Sequence, residues 1–277
     1  MTIDVAGVVR ERLPRHSRFI PRIVLRGLEK LIHQDDLNGL LRSNAGREGS
    51  DFCRGVLEDL DVTYRIAGGE NLPAPDDSRV VYVSNHPLGA LDGIALIDMV
   101  ARRHGREPRF VVNDLLMAVK PLCNVFVPIN KFGCQSRGSS DALNMAFAGD
   151  APVIVFPAGL VSRRSGRGGI ADLQWKKMAV QKAVETRRDI IPLFFGGRNS
   201  AFFYNFAKLR TLSGLRLNIE MALLPGEIFK CRHRCFDIAV GRRIGCDELE
   251  GGRAASAEID SLREAVYALA PLTAVDR

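Results

Sequence analysis

The sequence has no long hydrophobic run. Nowhere in its 277 residues do about 18 uncharged apolar residues follow one another, so no segment reads as a membrane-spanning helix. Its start, MTIDVAGVVRERLPRHSRF, has neither the apolar core nor the small-residue cleavage site of a secretory signal. Cysteine is sparse: Cys53, Cys123, Cys134, Cys231, Cys235 and Cys246 are too few for a disulfide scaffold, which predicts reduced thiols and a cytosolic protein. No repeat of 20 to 50 residues and no Pro/Gly/Ser linker interrupts the chain, so a single domain is the economical reading. GxxxxGK[ST] and GxSxG are both missing, which removes a P-loop and the usual serine hydrolase elbow. GRGGIA (166–171) follows an arginine-rich loop instead of a strand and is not a dinucleotide fingerprint.

What is present is enough for a full core: 46% hydrophobic and 26% charged residues exclude a largely disordered chain. Lys+Arg number 39 against 32 Asp+Glu, a formal charge of +7. Such a surplus suits nucleic acid, an anionic membrane surface or an anionic substrate.

Residues 1–50 read as a basic amphipathic helical segment. Arg10, Arg12, Arg15, Arg18, Arg22, Arg26 and Lys30 are spread along it, the last three at i, i+4 and i+8. Ile20, Ile23, Val24, Leu28, Leu31 and Ile32 occupy the other face of the same helix. A basic stripe beside a wide apolar face suits a helix lying in a membrane interface; it equally suits a helix packed on the domain with a solvated face.

From residue 51 to 277 short β-rich runs alternate with helical ones. The strands expected are VTYRIA (62–67), RVVYVSN (79–85), RFVVN (109–113), NVFVPI (124–129), APVIVFP (151–157), DIIPLFF (189–195), LRLNIEMAL (215–223) and CFDIAV (235–240). Helices are expected over 90–103, 139–148 with a Ser139/Ser140 cap, 173–187, 199–212 and 255–269. VVYVS, PVIVFP and IIPLFF are apolar throughout, as strands buried on both faces are. The fold class is therefore α/β, a mainly parallel or mixed sheet covered by helices and preceded by N-terminal helices.

In such sheets ligands collect where strands end. In VYVSNHPLGALDGIALI a buried strand ends at Ser84, His86 follows, and Asp92 arrives six residues later near a helix start. A histidine held beside a carboxylate can take a proton from a hydroxyl while the acid fixes its tautomer; alternatively Asp92 caps the helix and His86 bonds within a turn. In APVIVFPAGLVSRRSGRGGI a strand runs into Pro157 and Gly159, then Arg163, Arg164 and Arg167. Gly159 permits close backbone approach and the guanidinium groups can hold phosphate or carboxylate, or form a solvated basic loop. In DIIPLFFGGRNSAFFYNF a strand ends before Arg198, Asn199 and Ser200. These open a helix, either as an anion site or as caps, and Phe202, Phe203, Tyr204 and Phe206 follow as candidate core.

NH with an acid shortly after, then VFVPIN, FPAG and IIPL, in this order and at these separations, resemble the glycerolipid acyltransferases, the group of lysophosphatidic acid acyltransferases. The likeness spans about residues 80–200 and extends less distinctly to 225. FPAGLVSRR, Trp175 with Lys176 and Lys177, and GRNSAFFY look like the branch called hemolysin-like acyltransferases, associated with acylation of lysolipids, including O-acylation of bacterial amino-acid lipids. The resemblance implies that an acyl thioester, on coenzyme A or acyl carrier protein, gives its chain to a lysolipid hydroxyl in membrane lipid biosynthesis. It implies His86 as general base with Asp92 as partner. Asn85, Asn130, Lys131, Pro157, Gly159, Arg163, Arg164, Arg198 and Asn199, in the loops around them, are the candidate substrate-binding residues. Backbone amides near Gly159 are the candidate oxyanion donors. Because a thiolate leaves readily, one base and an oxyanion site suffice, with no metal, cofactor or covalent nucleophile.

Three positions depart from the family pattern. Five residues separate His86 from Asp92 where the family has four, a wider turn that Pro87 and Gly89 permit. Ala158 replaces the acid of the third motif and Leu160 its threonine. Asn130 and Lys131 stand where the family has an arginine for the acceptor phosphate, so a carboxylate head suits these loops as well.

Cys231, His233, Cys235 and Cys246 carry zinc-ligand types, but their spacing is at the loose end of structural patterns. Two classes of function follow: a lipid acyltransferase held peripherally on the inner face of the membrane, and a non-catalytic basic module binding anionic membrane or nucleic acid. The ordered loop motifs favour the first, with nucleic acid excluded as its partner.

Overall fold

The computed structural model describes residues 3, 4, 7, 21–129, 137–164, 169–214 and 218–272. From residue 21 onward three helices precede the first strand: α1 (Arg22–Leu31), α2 (Gln34–Ser43) and α3 (Gly49–Asp59). Strands β1 (Thr63–Ala67) and β2 (Val80–Ser84) lead to α4 (Leu91–His104), then β3 (Arg109–Asn113), β4 (Phe126–Ile129), α5 (Arg137–Ala148) and β5 (Val153–Val155). A short ribbon of β6 (Arg163–Arg164) and β7 (Ile170–Ala171) precedes α6 (Met178–Thr186) and β8 (Asp189–Phe195). The remainder is α7 (Ala201–Leu212), α8 (Leu224–Lys230), β9 (Cys235–Val240) and α9 (Ala255–Ala268).

The main sheet has the order β1-β9-β8-β2-β5-β3-β4. Every pairing is parallel except β8 with β9, so the sheet is mixed and mainly parallel. β2 is buried along its whole length, and its side chains alternate between two cores. Val80 and Tyr82 join Phe52, Val56, Leu96 and Val100 of α3 and α4 on one face. Val81 and Val83 join Leu143, Phe147, Val180 and Leu262 of α5, α6 and α9 on the other. A continuous apolar run therefore serves a strand with a hydrophobic layer on each side.

Three expected elements differ. The stretch expected as a strand over 215–223 is, in its described part, a 3-10 turn (Ile219–Leu223) leading into α8. Glu220, Leu223 and Leu224 are the buried residues there, a three-to-four spacing that suits a helical path, and Glu220 is drawn inward by two arginines. The helix expected from 173 begins at Met178, because Trp175 Nε1 donates to Asp172 and the Lys176 N–H donates to the Pro157 carbonyl, which holds 172–176 outside the helix. Ser139 and Ser140 lie inside α5 instead of capping it.

β2 lies between β5 and β8 and runs parallel to both, so the segments leaving β2, β5 and β8 emerge at one edge of the sheet. That edge, where chain order splits to either side of β2, is where open α/β sheets place their ligands.

Candidate active site

Asn85 follows β2 and ties the sheet edge together. Its Nδ2 donates to the Phe195 carbonyl at 3.0 Å and its Oδ1 accepts from the Phe195 N–H at 2.7 Å. The expected substrate contact is thus a buried amide that extends the β2–β8 ladder by one peptide.

The next residue carries the reactive group. His86 Nδ1 is 3.0 Å from Asp92 Oδ2, and its ring stacks on Phe156 at 4.1 Å between centroids. The turn that closes this pair needs its glycine. Gly89 has φ +93, and a Cβ there would stand 2.7 Å from Val161 Cγ2 and 2.8 Å from Leu224 Cδ1. With the chain bent in this way the Leu88 and Gly89 N–H groups also donate to Asp92 Oδ2, at 2.9 and 3.3 Å. The five-residue spacing thus returns the acid to the ring. Ala90 occupies the N-cap of α4, so Asp92 does not cap it.

Asp92 is fully buried. Burial acts to raise its pKa, but the His86 ring and the Leu88 and Gly89 N–H groups outweigh that and hold it below the usual carboxylate range. An ionised Asp92 accepting from Nδ1–H leaves the lone pair on Nε2, the tautomer that can take a proton from a substrate.

A second carboxylate, one that no sequence motif marks, clamps the His86 peptide. Asp172 Oδ1 accepts from the His86 N–H at 3.2 Å and lies 2.5 Å from Ser162 Oγ. The Ser162 N–H donates to the His86 carbonyl at 2.8 Å. Asp172 Oδ2 accepts from Trp175 Nε1 at 2.9 Å, and the Asp172 N–H donates to Tyr267 Oη at 2.7 Å. Burial pushes the Asp172 pKa up, with the Ser162, Trp175 and His86 bonds opposing. The cue in the sequence was slight: one acid three residues before the single tryptophan.

Other expected site residues are placed as follows. Pro157 is buried and its carbonyl accepts from the Lys176 N–H. Gly159 has φ +61 in open space, and its N–H donates to the Phe156 carbonyl at 2.9 Å, so this amide closes a turn instead of facing an oxyanion. Arg163 Nη2 bonds Glu220 Oε1 at 2.9 Å and its guanidinium lies over the Phe203 ring; burial draws its pKa down. Arg164 is exposed and donates to Asn205 Oδ1. Arg198 is exposed, whereas Asn199 is buried with its Nδ2 on the Pro87 carbonyl at 3.1 Å, across from the His86 turn. Ser200 caps α7 by accepting from the Phe203 N–H. Asn130, Lys131 and the arginines at 10, 12, 15 and 18 lie outside the described residues. Among the described residues no group of three His, Cys, Asp or Glu side chains is disposed to hold a metal ion.

The chain matches a family model described as acyltransferase over residues 7–274. It is similar to a lyso-glycine lipid O-acyltransferase of Phocaeicola vulgatus, 39% identical over 267 residues, which covers 96% of this chain and 95% of that protein. A lyso-glycine lipid O-acyltransferase of Bacteroides thetaiotaomicron is 38% identical over 267 residues, covering 96% and 97%. Among solved structures, the 1-acyl-sn-glycerophosphate (LPA) acyltransferase PlsC from Thermotoga maritima aligns over 91% of this chain and 97% of its own. Its 14% identity and TM-score of 0.47 carry no argument about this site. The end-to-end family match and the near-full-length similarity to two O-acyltransferases, on a chain whose NH and FPAG segments leave the sheet at the edge where β8, the strand carrying IIPL, also ends, make it a member of the acyltransferase family and of the glycerolipid acyltransferase superfamily.

Proposed function

We propose that this O-acyltransferase moves a fatty acyl chain from a thioester of coenzyme A or acyl carrier protein to the hydroxyl of a lysolipid, with His86 as general base. The observation that carries the reading is the 3.0 Å bond from His86 Nδ1 to a buried Asp92, in a turn clamped from both sides. As the hydroxyl oxygen bonds to the thioester carbon, His86 Nε2 takes its proton and Asp92 stabilises the imidazolium. The tetrahedral species then breaks its C–S bond, and the proton passes from the imidazolium to the departing sulfur. A thiolate departs readily, so no acid beyond this imidazolium is needed for the leaving group.

The acceptor that fits best is a lysolipid with an amino-acid head. The relatives that carry such a name, at 39 and 38% identity, support it, and the exposed Arg164 and Arg198 suit a carboxylate. The enzyme works peripherally on the inner face of the membrane. Among the described residues no helix is long and apolar enough to cross a bilayer, while α1 exposes Ile23, Val24 and Leu31 together with Arg22, Arg26 and Lys30. A helix that buries none of its own residues yet carries both an apolar and a basic face suits an anionic lipid interface.

His86→Ala should retain the fold by circular dichroism and lose acyl transfer to lysolipids, assayed with both thioester carriers and product mass spectrometry. Turnover near the wild-type rate would sink the assignment. Charge reversal of Arg22, Arg26 and Lys30 should weaken sedimentation with anionic vesicles, most at low salt; unchanged sedimentation would return α1 to a structural role.

A further inference from the structure

We infer that the outward face of α7 is a second bilayer-docking surface, separate from α1 and seated over the catalytic turn. It rests on the proposed lysolipid acceptor for its purpose, but not for its existence.

The helix has two apolar faces. Phe203, Tyr204 and Ala207 point inward, where the first two pack with Val161, Leu223 and Leu224. Val161 and Leu224 are also the side chains that crowd Gly89, so this cluster is the roof of the His86 turn. On the opposite side Phe202, Leu209 and Leu212 are 59, 65 and 75% exposed, and Ile219 of the following 3-10 turn is 44% exposed. Phe206, half-buried, stacks on Phe202 with ring centroids 6.0 Å apart. At about 100° per residue, positions 202, 206, 209 and 212 fall on one side of the helix. Among the described residues nothing covers that side.

Charge decides what does. From residue 190 to 219 the chain has no Asp or Glu, and it has Arg198, Lys208, Arg210 and Arg216. Arg210 is turned inward to Glu220, whereas Lys208 and Arg198 are exposed, and Arg164 reaches the same helix through Asn205. A second copy of this chain would set the same cations against themselves. An anionic bilayer supplies the opposite sign at the headgroups and an apolar layer beneath for Phe202, Leu209 and Leu212. Docked there, the helix places the turn bearing His86 about one helix diameter, roughly 10 Å, from lipid. A lysolipid could then present its hydroxyl while its tail stays in the bilayer. A second contact beside α1 would strengthen attachment, since one short amphipathic helix holds weakly.

The test uses the full chain and vesicles of equal parts phosphatidylglycerol and phosphatidylcholine. Leu209→Ser with Leu212→Ser should lower the partition coefficient about tenfold or more, and lower turnover of vesicle-embedded lysolipid in proportion. Turnover of the same lysolipid in detergent micelles should stay at the wild-type rate. Phe202→Trp should shift its emission to the blue on adding these vesicles, against the constant background of buried Trp175. Wild-type partitioning by the double variant, no emission shift, or a wild-type dimer that the serines dissociate would each overturn the surface. If the wild type acylates no lysolipid in any form, the proposed function fails, while partition and emission still decide this surface by themselves.

Discussion

Asp172 accepts a hydrogen bond from the backbone N–H of His86, 3.2 Å away and 86 residues earlier in the chain. With Ser162 donating to the His86 carbonyl, the peptide of the reactive residue is held at both its polar ends. Side-chain pairing with Asp92 fixes the ring, and backbone clamping by Asp172 fixes where the ring stands. The two carboxylates divide the work of positioning.

Asp172→Asn keeps the shape and puts an NH2 among three donors: the His86 N–H, Ser162 Oγ and Trp175 Nε1. One donor is left facing another, which costs about 1–3 kcal/mol of stability. Turnover should fall about 10- to 100-fold with the thioester KM changed much less, because a displaced base weakens the transition state more than ground-state binding. A merely structural Asp172 would lower Tm and leave kcat of the folded fraction intact, and steady-state kinetics normalised to folded protein separates the two.

Asp92→Asn addresses the ring directly. Losing the charge that stabilises the imidazolium should lower kcat by about 10²- to 10⁴-fold. Stability should respond to pH in a definite direction. Asp92 has a folded pKa below its unfolded one, so its ionised form stabilises the fold at and above the ordinary carboxylate pKa, about 4, and that contribution disappears as pH falls through the folded value. The gap in Tm between wild type and Asp92→Asn should therefore be full near pH 7 and shrink below about pH 4. A gap that widened on acidification would contradict the pairing.

Much of this arrangement is legible in the sequence because apolar runs are a local signal. VVYVS, PVIVFP and IIPLFF read as strands buried on two faces, and the ends of three such strands point to His86, Gly159 and Arg198. What eluded the sequence depends on partners far apart. Asp172 looks like a loop residue until Ser162, Trp175, Tyr267 and the His86 N–H converge on it. Arg163 reads as a free cation because Glu220, its partner, is 57 residues on and sits in a stretch whose alternation of apolar residues imitates a strand. Asn199 and Ser200 read alike, as an anion site or as caps, yet it is Ser200 that caps α7 while Asn199 holds the Pro87 carbonyl.

The two left-handed glycines of the site make a paired test. Gly89→Ala meets both a strained φ of +93 and contacts below 3 Å to Val161 and Leu224, and should cost about 2–5 kcal/mol and most of the activity. Gly159→Ala meets a φ of +61 with nothing within 4 Å, and should cost only about 1–2 kcal/mol. Chemical denaturation of both variants checks the order, and equal losses would mean that crowding by Val161 and Leu224 plays no part at Gly89.

The last prediction concerns the charges behind the turn. Glu220 is fully buried, its Oε1 2.9 Å from Arg163 Nη2 and its Oε2 2.9 Å from Arg210 Nε. Arg163 adjoins Ser162, whose N–H holds the His86 carbonyl, so this ion pair braces the strand of chain that braces the base. Glu220→Ala would leave two largely buried guanidinium groups without their counter-charge, a loss of about 3–5 kcal/mol. For a chain of this size that lowers Tm by about 5–15 °C. Glu220→Gln keeps acceptor and shape but not charge, and should fall between wild type and Glu220→Ala. Replacing Arg163, Arg210 and Glu220 together with Met, Met and Leu should recover most of the stability, since an apolar trio of similar volume needs no desolvation of charge. Should Glu220→Ala melt within 1–2 °C of wild type, water reaches the pair and the brace is not the buried one described.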